Sequence, residues 1–201
     1  MDMERYYTKL ARLICRPPAE RYANLTAFHR DISARYCAAV EQIGPQAASA
    51  ASSDGRTLAQ VVGHIMEWDR YLILSCGELL SGLPQGQLGR LTGFVDEDGS
   101  LQTFESIDQF NARQAQKQAG WAWERIQTAA LDASRVLVTL FGTPGLMDLQ
   151  RLEAARPSTW QLPGDIAIPA TSAWKLWGIV LEHESVEHAG DLRLDLTGLL
   201  D

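Results

Sequence analysis

The chain has 201 residues, 46% of them apolar and 21% charged, with a formal net charge of −7. That length suits one well-buried core, so a single domain over residues 1–201 is expected, with the composition of a soluble globular protein. No cluster of Lys and Arg interrupts the acidic balance, which excludes binding driven by phosphate neutralisation and with it a nucleic-acid partner. Cys15, Cys37 and Cys76 are odd in number and widely spaced. They match neither a disulfide framework nor a zinc knuckle and are expected to be small apolar fillers on helices, in a reducing compartment. Met1–Leu10 has no apolar core of signal-peptide length, and no apolar run approaches a membrane span. The expectation is a cytoplasmic protein without a membrane partner.

In chain order, Arg21–Ile43 carries Leu25, Phe28, Ile32, Tyr36 and Val40 at spacings of three and four, the pattern of an amphipathic helix. Gly44–Arg56, rich in Ala, Ser, Gly and Pro, reads as a connection. Thr57-Leu-Ala-Gln60 has the form of a capping box and should open a long helix running to Ser81. Leu83–Gly99 holds glycines, a proline and the turn sequence Asp96-Glu-Asp-Gly99, so a loop is expected. Ser106–Leu140 reads as a third long helix with Ile107, Phe110, Trp121, Ile126, Leu131 and Val136 among its apolar positions, and Gly120 as a point of bending. Pro144–Ala155 reads as a short helix, and Arg156–Ala170, with three prolines, as irregular surface chain. Thr171–Leu200 is expected as the final helix. No segment reads as a convincing strand. The fold class is therefore all-α: a bundle of four long helices with long connections and one additional short helix.

The stretch Trp174–Asp191 carries the chemistry. On an ideal helix Trp177, Leu181, Glu184 and His188 fall within about 60° of one another. Glu184 and His188, four apart, are therefore neighbours on an otherwise core-facing stripe. A carboxylate and an imidazole there need a desolvated partner, and a divalent metal is the simplest one. His183 competes with Glu184. It lies about 140° round from His188 on an ideal helix, and the two histidines share an ion only if a π-bulge intervenes. Glu184 needs no such distortion. On the second helix His64 lies beside Val61 and Trp68, next to Gly63, which allows close approach by another helix or a ligand. The candidate metal ligands are thus His64, Glu184 and His188. Glu67 and Asp191 are candidates to orient ligand rings. Asp69 and Arg70 read as solvated or local pairs, and Glu182 and Glu187 as solvent-facing. His29 reads as structural or surface. Trp68, Trp174 and Trp177 read as core, with a pocket wall as the alternative. A di-iron site is set aside because it needs paired Glu-x-x-His motifs.

His64-Ile-Met-Glu-Trp68 and Glu184-Ser-Val-Glu-His188-Ala-Gly-Asp-Leu192 together resemble the DinB superfamily, the DinB/YfiT-like metalloenzymes that include mycothiol-dependent maleylpyruvate isomerase. The resemblance implies a four-helix bundle of DinB/YfiT type with long crossover connections, often a homodimer. It also implies a divalent ion, commonly nickel or zinc, held by three side chains at one end. In this chain Glu184 matches the His/Glu/His variant of the thiol-dependent branch. Iron and manganese suit the same donors. Such a site implies a metal-dependent thiol S-transferase, isomerase or hydrolase acting on a small-molecule substrate with a low-molecular-weight thiol. The rival is a non-catalytic metal-containing bundle that sequesters a small apolar or stress-related molecule.

Overall fold

The computed structural model describes residues 2–52, 55–82, 92–95, 99–155, 157–162 and 166–201. The chain is mostly helical. Helix α1 spans Asp2–Ile14, α2 Pro18–Gln42, α3 Pro45–Ala48, α4 Leu58–Leu80, α5 Ile107–Gln118, α6 Trp123–Gly142 and α7 Leu149–Ala154. Helix α8 spans Ser172–Glu182, a π-turn follows over His183–Glu187, and α9 spans Ala189–Leu192. Strands β1 (Thr92–Val95) and β2 (Leu101–Thr103) form one antiparallel pair, and β3 (Pro157–Leu162) and β4 (Ile166–Thr171) another.

Helix α4 starts where its sequence demands. Thr57 accepts from the Gln60 amide while Gln60 accepts from the Thr57 amide, closing the capping box. It packs against α6 and α8, and α2 packs against α6. Tyr6, Leu10 and Ile14 bury one face of α1 against this assembly. Trp177 is the centre of the larger core cluster: it stacks on Phe141 with ring centroids 4.0 Å apart and lies 5.8 Å from Trp174. All three aromatics are fully buried, which fits the core reading of Trp174 and Trp177. A second cluster gathers Tyr36, Val61, Ile65 and Ile126 between α2, α4 and α6.

Several expectations are corrected. The helix read through Ser106–Leu140 is two helices, α5 and α6, divided at Ala119–Ala122. At the break the Gln118 amide donates to the Gly63 carbonyl at 3.2 Å and to Glu67 at 2.9 Å. The Trp123 indole donates to the Ile43 carbonyl at 3.0 Å. Each half is thereby tied to a different helix, and a straight rod could not meet both. Gly63 provides the close approach: a Cβ there would stand 2.0 Å from Gln118 Oε1. Within the stretch expected to be irregular, Pro157–Leu162 and Ile166–Thr171 are strands, β3 and β4, paired in register from Pro157↔Thr171 to Leu162↔Ile166. Pro157 sits at the start of β3 and Pro169 in β4, an edge of its two-stranded pair, where a missing N–H is tolerated. Residues 163–165 lie outside the described residues, as do 83–91 and 96–98 of the expected loop, whose Thr92–Val95 forms β1. The final helix ends at Arg193, whose φ of 53° is left-handed, rather than at Leu200. Cys15 is exposed at the end of α1, not a filler, while Cys76 is buried in α4.

Two helical glycines test the packing with opposite signs. A Cβ on Gly178 would meet the Trp160 ring at 2.3 Å and 2.7 Å. Gly178→Ala should therefore destabilise by about 1–3 kcal/mol, the range for overpacking a core. Gly77 has nothing within 4 Å, so Gly77→Ala should stabilise α4 by about 0.5–1 kcal/mol. Urea unfolding of both variants checks the pair, and equal signs would contradict this packing.

Candidate metal centre

The π-turn decides which side chains meet. In an α-helix residues 183 and 188 diverge, but i→i+5 bonding brings residues five apart onto one face. His183 and His188 accordingly have ring centroids 6.3 Å apart, and both lie against His64 of α4, at 5.3 Å and 5.6 Å. Ser185 helps hold the altered backbone, its hydroxyl donating to the Leu181 carbonyl four residues back. Trp68, one turn along α4 from His64, packs its ring 5.2 Å from His183 and shields it from solvent.

Glu187 supplies the carboxylate. Its Oε2 lies 3.2 Å from His183 Nε2 and its Oε1 3.8 Å from His188 Nε2. His64, Glu187 and His188 each present a donor atom, all within 4.8 Å of one another. Opposed ligands around an ion with bonds of about 2.1 Å lie up to about 4.2 Å apart, so small side-chain rotations close the group into a coordination shell. Glu187 is exposed, as expected, yet the π register brings its carboxylate up to the two imidazoles.

Protonation sharpens this geometry. His183 Nδ1 lies 2.8 Å from the Ile179 carbonyl, which can only accept, so Nδ1 carries the hydrogen. In the neutral ring Nε2 then points a lone pair at a carboxylate oxygen. Two acceptors at that distance need a positive species between them, a proton or a metal ion. Burial disfavours the proton: it lowers the pKa of His183 and of His188, with the nearby Arg56 lowering both further, while Glu187 pulls the other way. His188 Nε2 is buried without a hydrogen-bond partner, and its Nδ1 faces Asp191 Oδ2 at 3.7 Å. An orphaned ring nitrogen with a carboxylate behind the other nitrogen is the arrangement of a metal ligand. These residues fit a divalent ion.

The structure brings together His64 and His188 of the sequence-predicted set, and Asp191 behind His188 as expected. Glu184 lies outside this group. It is fully buried on the other side of the segment, facing Ser134 of α6 and Asp69 of α4. Asp69 is fully buried too, against the expectation of a solvated pair, because α4 aims it inward between Tyr36 and Glu184. None of the four carboxyl oxygens closes a hydrogen bond of ordinary geometry. Burial raises the Glu184 pKa to about 7 and lifts Asp69 well above the carboxylate range, with Glu184 adding to the shift of Asp69. Two such groups retain a proton between them at neutral pH.

The remaining candidates resolve simply. Glu67 is buried and holds Arg70 at 3.2 Å and the Gln118 amide, so it fastens α5 to α4. Glu182 accepts from the Tyr7 hydroxyl at 2.5 Å. Of the two readings of His29, structural or surface, the structure gives the first: it is buried, its Nδ1 accepts from the Trp177 indole at 3.1 Å, and burial drops its pKa to about 3. Compared with protein-family models, curated proteins and solved structures, the chain matches none.

The carboxyl pair has a pH signature. A group whose protonated form the fold favours binds more protons folded than unfolded, so its stabilising contribution is complete below the ordinary carboxylate range. It is lost as pH rises through the folded value of about 7 for Glu184, at about 1.4 kcal/mol per unit where proton uptake differs by one. Asp69→Asn removes one of the two charges. In chelator-treated protein its stability relative to wild type, measured by urea unfolding from pH 5 to 8, should rise with pH. A constant difference would contradict a shared proton.

Proposed function

We propose that the protein is a divalent-metal-dependent enzyme built on a four-helix bundle of DinB/YfiT type, acting on a small molecule at an ion held by His64, His188 and the donors of the π-turn, His183 and Glu187. The observation that carries this reading is the pair of acceptors 3.2 Å apart, Nε2 of the buried His183 and Oε2 of the exposed Glu187. Imidazole and carboxylate donors suit zinc, nickel, iron or manganese, with zinc or nickel favoured by the resemblance.

The surroundings favour chemistry over a purely structural ion. A cavity of about 460 Å³ reaches His64, and a broad groove of about 1000 Å³ reaches Glu187, so the group is approached from two sides. Catalytic ions keep a position for water or substrate, and an ion of five- or six-fold coordination held by these four donors would keep one. When bound, such an ion would lower the pKa of a coordinated water or hold a low-molecular-weight thiol as thiolate. The protein's own contributions are distinct from that. Ile179 fixes the His183 tautomer, Asp191 orients His188, and Trp68 excludes water from one flank of His183. Arg56 raises the local positive potential, which favours an anionic species such as a thiolate.

Elemental analysis of protein purified without a metal-affinity tag tests the reading. About one equivalent of a transition metal is expected in wild type, less than a tenth of that in His64→Ala and His188→Ala, and full occupancy in Glu184→Gln. Far-UV circular dichroism should not change on chelation, since the helices are held by the apolar core. A wild type that stays empty after reconstitution, a full His188→Ala, or an empty Glu184→Gln would each overturn the assignment. Unfolding on chelation would make the ion structural.

A further inference from the structure

The cavity that reaches His64 is lined along one wall by α5. Four carboxamide side chains border it, and two are already engaged. Gln60 accepts from the Thr57 amide at 2.8 Å, and Gln118 donates to Gly63 and Glu67. The other two, Asn111 and Gln114, are three residues apart on one face of α5. Gln114 is only 3% exposed, yet neither its Oε1 nor its Nε2 has a hydrogen-bond partner, and Asn111 Oδ1 has none either. Buried polar atoms are almost always paired, and leaving them unpaired is costly. Turned toward the cavity that their side chains border, these two acceptors and one donor call for two donors and one acceptor in a ligand.

We propose that this cavity is the substrate pocket of the metal site and that it recognises a primary carboxamide. That group carries the complementary set, two N–H donors for Gln114 Oε1 and Asn111 Oδ1 and a carbonyl acceptor for Gln114 Nε2. A carboxylate of the same shape has acceptors only and would set its charge against two oxygens. A tertiary amide has the carbonyl but no donors. The apolar remainder of the ligand has Trp121 and Ile126 to lie against, with His64 at the same cavity. The inference deepens the metal-site reading by naming the substrate class, but the recognition itself uses no metal ligand other than as a neighbour.

Titration by NMR of the full-length protein with benzamide, benzoate and N,N-dimethylbenzamide tests this, in chelator-treated and metal-reconstituted samples in parallel. Benzamide should saturate, and the other two should bind roughly tenfold or more weakly, the effect of leaving one or two buried polar atoms unpaired. Gln114→Met, which keeps the side-chain length, should bring benzamide down to the level of benzoate while metal content stays at the wild-type value. Equal affinity for the three probes, no saturable benzamide binding by wild type, or undiminished benzamide binding by a folded Gln114→Met would overturn the proposal. Selective benzamide binding by a protein that takes up no metal would uphold the pocket and sink the metal-site reading. A loaded metal site with no benzamide selectivity would do the reverse.

Discussion

The register change at His183–Glu187 is the constraint on which the candidate site depends. A continuous α-helix would fan His183 and His188 apart. The π-turn instead sets His183 and His188 on the side of His64, with Glu187 reaching both, and sends Glu184 to the opposite side toward Asp69 and Ser134. One short segment thus separates two polar groups of different kinds. One is a set of nitrogen and oxygen donors suited to a cation, the other a carboxyl pair suited to retaining a proton. Such turns weaken the backbone ladder and recur at functional sites. Here the Ser185 hydroxyl and the His183 ring both bond to carbonyls of α8, so side chains stabilise the altered segment.

The scaffold explains why the segment holds its position. Trp174 and Trp177 anchor α8 in the larger core, Phe141 of α6 stacks on Trp177, and the Tyr6 hydroxyl donates to the Gly178 carbonyl at 2.6 Å. Downstream, the chain turns at Arg193 and its end is fastened to α1 by Lys9 donating to the Leu199 carbonyl and by Arg5 beside Asp201. The π-turn is therefore clamped on both sides. Ligand groups held by rigid elements lose little freedom on binding an ion, which is the condition for a preorganised site.

Much of the fold was legible because its signals were local. The Thr57–Gln60 capping box marked the start of α4, and the three-and-four spacing from Leu25 to Val40 marked α2. The break between α5 and α6 was not legible, since Gln118 and Trp123 bond to residues far away in sequence. The β3–β4 hairpin was hidden by its prolines, which argue against a strand until it is known to lie on an edge. At the site, His64 and His188 stood out as imidazoles on apolar faces. The choice between Glu184 and His183 turned on whether a π-bulge intervened, and no local pattern in the sequence announces one. Glu187 was rightly read as exposed, but its reach to His183 and His188 was missed for the same reason. Asp69 was missed because its neighbours Asp69-Arg70 resemble a surface pair, and only the packing of α2, α4 and α6 shows it buried.

X-ray absorption at the metal edge of the reconstituted protein tests the gathering of donors by the π-turn most directly, with wild type measured beside Glu184→Gln. The expected result is a nitrogen and oxygen shell with the multiple scattering of at least two imidazoles, the same in both proteins. A shell without imidazole scattering, or one that changes when Glu184 is replaced, would contradict the assignment of the ion to the face of His64, Glu187 and His188.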